Sequence, residues 1–506
     1  MRAARKILSL LISRMVFVAL MILLQIAALL AAVDYFSQNF FYFYLACFVL
    51  SILVVLAMLS RHENPAFKVV WIVAIMAFPV FGGIFYLCIA NRRIPGKLEK
   101  KLEDSHLGVH QWLPRGDVAP DDPHHQQQSE YIQRITGYPL WEYTSVQYFP
   151  VGEVMFEDMM RQVEKAEHYI FLEYFIVRPG YMWDVLLEAL KRKAAGGVAV
   201  YMMYDDVGSI ASMNRRRGRE IREAGIKLQA FNKFRPHVST LLNSRDHRKV
   251  MVVDGKTAFC GGINIADEYI NKIKRLGHWK DTGVRLSGRA VRSFVLMFIQ
   301  QWRFAARESL PADQFAQHCG DAASDGKIHV FGDSPLDQYN ITETIYRNAI
   351  GHAKKYIYIT TPYLIIDYAM IQALCTAAVS GVDVRIYTPY LYDKWYVHTL
   401  TRSNYAQLIR FGVKIFEYTP GFMHAKMLVS DDNICMVGTC NMDFRSFYLH
   451  FECSVLMYDS SAVIKVRDDM LACERQSHEV TFEEAQKVSV PVRILRALLR
   501  LFAPLF

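Results

Sequence analysis

Cysteine is sparse and unpatterned here. There are nine in 506 residues, an odd number with no Cys-x-x-Cys, which leaves neither a disulfide framework nor a thiolate zinc site to organise the chain. Cys260, Cys435 and Cys453 stand inside apolar runs, the ordinary place of small core thiols, and suit a reducing compartment. Charge is missing from three stretches, Val16–Val33, Phe40–Leu59 and Val69–Ala90. Each is about long enough to cross a ~30 Å hydrocarbon core. The first exceeds the apolar run of a signal peptide, roughly 7 to 15 residues, and a second follows almost at once. With 52% hydrophobic residues overall, these absences argue against a wholly soluble protein and predict membrane-anchoring helices over residues 1–93.

Lys and Arg are absent from the connection Asp34–Asn39, whereas Arg2, Arg5, Lys6 and Arg14 precede the first segment and Arg61 and Lys68 follow the second. This places the N-terminus inside. Arg92, Arg93, Lys97, Lys100 and Lys101 also favour the inside, and Pro79, Gly82 and Gly83 interrupt the third segment. A re-entrant hairpin satisfies both ends; three crossings with an outside N-terminus is the competing arrangement. Residues 94–140 follow as a polar linker, in which His124 and His125 lack partners at metal-ligand spacing.

The chemistry begins with a repeat. His247-Arg248-Lys249-Val250-Met251-Val252-Val253-Asp254 recurs as His424-Ala425-Lys426-Met427-Leu428-Val429-Ser430-Asp431, both H-x-K-x-x-x-x-D, followed by Gly261, Gly262 and Asn264 in one copy and Gly438, Thr439 and Asn441 in the other. The β-branched run before Asp254-Gly255 predicts one strand of a tight hairpin. Residues two apart share a strand face, so His247 emerges with Lys249 and His424 with Lys426. Asp254 and Asp431 fall at the turn, where bonding local backbone competes with a chemical role. Around the motifs, Ala166–Asp206 and Ala353–Tyr387 echo each other as strand, helix and strand, which predicts βαβ units and a mostly parallel sheet in each half.

These motifs resemble the phospholipase D superfamily, and the neighbourhoods Asn243–Lys249, Thr419–Lys426 and Gly438–Phe447 look like bacterial cardiolipin synthases. The resemblance runs from about residue 140 to 460. It implies an α/β fold of two similar half domains with mixed, mostly parallel sheets, 141–325 and 326–480, preceded by N-terminal transmembrane helices. It also implies a catalytic set of His247, Lys249, Asp254, His424, Lys426 and Asp431. One His attacks phosphorus; the other protonates the leaving alcohol and activates the incoming one. Lys249, Lys426, Asn264 and Asn441 hold phosphoryl oxygens, Asp281 orients His247, and Glu452 orients His424. A phosphodiester needs charge neutralisation, an in-line nucleophile and a proton for the departing alkoxide, and two His with two Lys supply all three without cofactor or metal. The implied substrates are phosphatidylglycerol and other membrane phospholipids, with the bilayer as partner and no nucleic acid, in a bacterial cell membrane with the catalytic part cytoplasmic. Tyr201 departs from the basic residue expected at its strand position, and leaves acceptor preference open. The alternatives are a phospholipase D-type hydrolase or a transphosphatidylase with another alcohol acceptor and, from other classes, a superfamily nuclease and a catalytically dead membrane scaffold.

The tail returns to the membrane. Over residues 481–506, Arg493, Arg496 and Arg500 share a helical face with Leu and Ile around the rest of the turn. That is expected to be a basic amphipathic helix on anionic lipid or, alternatively, one packed on the enzyme's own core. The formal charge of +9 favours acidic surfaces in general.

Overall fold

The computed structural model describes residues 14–35, 40–61, 64–79, 82–86, 110–113, 118–233, 244–306, 308–336 and 339–505. The basic flanks at Arg2 to Lys6 and Arg92 to Lys101, and most of 94–117, lie outside them. The chain divides into two compact units: residues 1–93 with 234–242 and 500–506, and residues 94–233 with 243–499.

In the first unit, helices run over Arg14–Tyr35, Phe40–Leu59 and Pro65–Ala77. Phe41–Leu59 is long and apolar enough to cross a membrane. The third charge-free stretch breaks where Pro79 and the glycines predict. Its helix stops at Ala77 after 13 residues, about 20 Å, and a short turn of helix, Gly82–Phe85, follows. A Cβ on Gly82 would lie 2.7 Å from the Ile75 Cα, so only glycine lets the returning backbone lie this close. The Pro79 carbonyl freed at the break accepts a 2.9 Å bond from the buried Ser51 hydroxyl. Met58, Trp71, Ile75 and Tyr86 form a small core there.

The second unit begins with a correction. Residues 123–140 are not linker: Pro123–Thr136 is a helix capped by the Asp122 side chain, with Pro at its start and Gly137 in the left-handed region at its end. Its Ile132 lies in the core of the second half, and β1 (Leu140–Trp141) joins that half's sheet. The first half then supplies β2 (Thr144–Phe149), β3 (Tyr169–Tyr174), β4 (Ala199–Asp205), β5 (Lys227–Phe231), β6 (Arg245–Asp246), β7 (Lys249–Val253), β8 (Thr257–Gly261), β9 (His278–Lys280) and β10 (Gly283–Gly288). The second supplies β11 (Lys327–Asp333), β12 (Tyr356–Thr360), β13 (Asp383–Pro389), β14 (Lys414–Tyr418), β15 (Gly421–Met423), β16 (Met427–Ser430), β17 (Ile434–Gly438), β18 (His450–Tyr458) and β19 (Ser477–Glu479).

The repeat is visible in the strand order. The first sheet runs β2-β10-β8-β7-β3-β4-β5, and the second contains β11-β18-β17-β16-β12-β13-β14. In each, the βαβ portion is parallel, as the pattern of strand and helix requires. The rest is antiparallel, because the motif hairpin inserts itself beside β3 or β12. The sheets are therefore mixed, with fewer parallel pairings than expected. Both hairpin turns need the left-handed region, with Asp254 at φ 53° and Gly255 at φ 63°, and Asp431 and Asp432 at φ 51° and 59°, the signature of the tight type that follows strand twist.

Tyr201 is buried on β4 in an aromatic cluster with Phe171, Trp302 and Phe315. Its hydroxyl accepts a bond from Lys227. It is a core residue whose ring and hydroxyl partners belong to neither motif. At the end of the chain, Val490–Phe502 is a helix as expected, and Val490, Ile494, Leu498 and Phe502, spaced by four, form an exposed apolar stripe.

Candidate active site

Two short parallel pairings carry the site, and both join one half to the other. β6 pairs with the start of β18, Arg245 opposite His450 and Asp246 opposite Phe451. The His247 N–H then donates to the Phe451 carbonyl at 2.9 Å. β15 pairs with β9, Met423 opposite Lys280, and the N–H groups of His424 and Ala425 both donate to the Lys280 carbonyl. Each motif histidine is thus stitched beside the residue preceding a carboxylate of the opposite half, Glu452 after Phe451 and Asp281 after Lys280.

The consequence is an exchange of partners. His247 Nδ1 donates to Glu452, with oxygens at 2.9 and 3.0 Å, and His424 Nδ1 donates to Asp281 at 2.5 Å. The expected pairs, Asp281 with His247 and Glu452 with His424, are therefore corrected: proximity along the chain suggests partners within a half, whereas the inter-half strand pairs place them across it. Both carboxylates are fully buried. An ionised carboxylate only accepts hydrogen bonds, so each histidine meets its carboxylate through an Nδ1 proton and keeps its lone pair on Nε2; Lys426 Nζ also lies 2.7 Å from His424 Nδ1.

The two lysines are also buried, and each ammonium donates to the carbonyl of its own motif histidine. Burial first, then the charges of Lys249, Lys426 and His424, hold His247 well below the usual imidazole range. Burial and Lys426 bring His424 down to about 4. Burial lowers Lys249 to about 8 and Lys426 to about 7. His247, Lys249, His424 and Lys426 lie close enough to act on one another's ionisation, so the site sets two neutral imidazoles, each backed by a carboxylate, beside two lysines whose hold on their protons is weakened by burial. Phe175 meets the His247 ring edge-on at 5.0 Å, and Tyr269 and Trp279 flank His424.

The remaining expected residues divide. Asp254 accepts from the backbone N–H groups of Glu167, His168 and Tyr169 at 2.7 to 2.8 Å, and Asp431 accepts from those of Lys354, Lys355 and Tyr356. They tie the far end of each motif strand to the start of its neighbour. At about 3.3 Å per strand residue they stand well away from the reacting imidazoles, so their placement among the catalytic groups is corrected to a structural role. The Asn264 amide is spent on the fold, accepting from the Ile176 N–H and donating to the Tyr269 hydroxyl. Asn441 donates to Asp443, and its buried carbonyl oxygen has no partner.

Thr439 is a member of the site that the motif alone did not bring out. Its hydroxyl donates to Glu452 at 2.5 Å and accepts from the Cys453 N–H. Gly262, the corresponding position of the first half, does a different job, since a Cβ there would lie 2.0 Å from an Asp281 oxygen. Their place just after the motif hairpins was the available signal.

The chain is similar to known proteins over most of its length. The profile described as cardiolipin synthase, PLD-like domain, matches residues 159–274 and 346–473, one match over each motif. A second, described as the phospholipase D-nuclease N-terminal region, matches 47–91. An uncharacterized protein of Streptococcus mutans is 38% identical over 89% of this chain and 99% of its own. The cardiolipin synthase of Geobacillus kaustophilus is 33% identical over 95% and 97%. Among solved structures, the phosphatidylserine synthase of Haemophilus influenzae superposes with a TM-score of 0.56 at 13% identity, covering 75% of this chain and 98% of that one, which bears on fold alone.

Proposed function

The chain belongs to the cardiolipin synthase family of phospholipase D-like proteins, and from that premise we propose that it transfers a phosphatidyl group from one phosphatidylglycerol to another, releasing glycerol. The observation that carries the reading is the crossed pair of His-carboxylate dyads with a buried lysine beside each.

Each residue then has a task. His247 attacks phosphorus through Nε2, and the glycerol oxygen leaves with a proton from His424. His424 then takes the proton of an incoming lipid hydroxyl, which attacks the phosphohistidine and frees His247. Lys249 and Lys426 neutralise the phosphoryl oxygens. A neutral His424 cannot give a proton, so the arriving phosphodiester anion has a further effect: its charge offsets the two ammonium groups that hold the imidazole neutral, and favours the imidazolium the first step consumes. Glu452 and Asp281 hold tautomer and orientation. By the same resemblance residues 1–93 anchor the protein in the bacterial membrane; the basic flanks of the apolar segments put the catalytic unit on the cytoplasmic side, and the exposed apolar stripe of 490–502 supports a second contact with lipid.

Lipid is favoured over nucleic acid by the site's surroundings. Lys394, whose charge reaches His247, lies in a segment that exposes Tyr390, Leu391, Tyr392 and Trp395. Amphipathic aromatics beside a cation are what a headgroup interface accommodates. Purified protein in detergent, given labelled phosphatidylglycerol free of cardiolipin and separately single- and double-stranded DNA, should make cardiolipin and glycerol and leave DNA intact. DNA cleavage without lipid product would overturn the reading, and phosphatidic acid as sole product would make it a hydrolase.

A further inference from the structure

His450 is a buried group that this chemistry leaves unused. It opens β18 and is 7% exposed, and neither ring nitrogen has a hydrogen-bond partner. Burying an imidazole in that state is costly, and such a group calls for a reason. Its ring centroid lies 5.3 Å from that of His247, and its Nδ1 lies 3.8 Å from Glu452 Oε1. One ligand atom from each of His247, His450 and Glu452 falls within 4.8 Å of the others, and among the described residues no other cluster of this kind occurs.

The separations suit a small cation. His247 Nδ1 to Glu452 Oε1 is 2.9 Å and His450 Nδ1 to the same oxygen is 3.8 Å. Between them lies the roughly 3.3 Å that separates neighbouring ligand atoms around a tetrahedral ion with bonds of about 2.0 to 2.1 Å. Two imidazoles and one carboxylate select zinc-like ions over magnesium or calcium, which prefer all-oxygen shells. Three protein ligands leave a fourth position open. Thr439, bonded to the other oxygen of Glu452, already orients the carboxylate from behind, as supporting groups do in metal sites.

We propose that His247, His450 and Glu452 form an inhibitory site for a zinc-class divalent cation. The inference deepens the proposed reaction and rests on His247 being the attacking imidazole. A cation on Nδ1 uses the lone pair there, so the ring's single proton moves through solvent from Nδ1 to Nε2 with no net gain or loss. The lone pair that attacks phosphorus is thereby withdrawn. Cation and competent nucleophile exclude each other, and the enzyme is silenced at the atom that reacts.

The test uses the full chain in detergent, stripped of metal, with Zn2+ alone as probe and Co2+ as its spectroscopic substitute. Equilibrium dialysis should find one tight Zn2+ in the parent, weakened on the order of 100-fold in both His450→Asn and His450→Gln. Co2+ should give the visible bands of a four- or five-coordinate nitrogen and oxygen site in the parent only. Inhibition by Zn2+, measured against each protein's own metal-free rate, should be lost in the same variants, and Mg2+ or Ca2+ should not replace it. Thermal unfolding of each variant reports whether it is folded, and the pair guards against one substitution failing. An unchanged tight equivalent, or unchanged Zn2+ inhibition, in a folded His450 variant would overturn the site. Tight His450-dependent binding by a protein that makes no cardiolipin would uphold the site and sink the proposed reaction instead.

Discussion

Replacing Glu452 by Gln and Asp281 by Asn should damage different halves of one reaction. In Glu452→Gln the side chain keeps its size, and the Thr439 hydroxyl, which donates to Glu452 in the parent, retains the amide oxygen. The amide NH2 then stands in place of Oε1, 2.9 Å from His247 Nδ1, and the one remaining oxygen is neutral and already taken by Thr439, so the Nδ1–H tautomer loses its anionic acceptor to a donor, and the imidazole proton shifts toward Nε2 at the expense of the attacking lone pair. A forced tautomer of this kind in a His-carboxylate pair lowers the rate by about 10^4-fold, or about 5 kcal/mol. Asp281→Asn inflicts the same change on His424, where the loss falls on proton transfer. Acid quenching after exposure to phosphatidylglycerol, with the adduct located by mass spectrometry, separates them. Glu452→Gln should show no adduct. Asp281→Asn should form one on His247 slowly and resolve it more slowly still. An adduct on His247 in the Glu452→Gln enzyme would refute the crossed pairing, because a carboxylate serving His424 would leave the first attack intact. An adduct on His424 there would keep the crossing and reverse the histidine roles.

Other consequences are as definite. Asp254→Ala removes an acceptor from three backbone N–H groups and should cost about 2 to 4 kcal/mol in denaturant unfolding, while the folded fraction keeps its turnover within roughly tenfold; abolished turnover at parental stability would restore Asp254 to the chemistry. Burial lowers His329 to about 4, so the unfolded chain binds its proton first as pH falls and stability drops from about pH 6.5 downward. At pH 5 this amounts to about 2 kcal/mol, and His329→Gln should show a correspondingly smaller loss between pH 7 and 5. Chelator should leave bond breaking intact, since Lys249 and Lys426 meet the phosphate charge; full inactivation reversed by one specific ion would contradict that. Replacing Tyr392 and Trp395 together by Ser should lower transfer on vesicles at least tenfold and spare it in detergent, and equal losses in both would remove the loop from lipid contact.

What could be read from the chain was whatever is encoded locally. Asp254-Gly255 announces a tight turn, β-branched runs announce strands, and the spacing of two puts His and Lys on one face. Pro79 and its glycines mark the end of a helix whatever surrounds them. The partner exchange is different in kind, since His247 and Glu452 are 205 residues apart and His424 and Asp281 are 143 apart, and the two-strand contacts that unite them have no local signature. Asn264 shows a second limit: an amide that holds a loop and one that holds a phosphate are the same residue in sequence. The helix at Pro123 was legible, because Asp122 followed by Pro is a capping signal, yet the polar run behind it read as linker.

The parallel contacts β6 with β18 and β9 with β15 are also clasps. Each closes one dyad, and both close along the same seam. If the halves part by an ångström or so, nucleophile and proton carrier lose their carboxylates together, and neither can run alone. An enzyme whose first step leaves lipid covalently attached would gain from that coupling, because opening the seam would disable capture and transfer together.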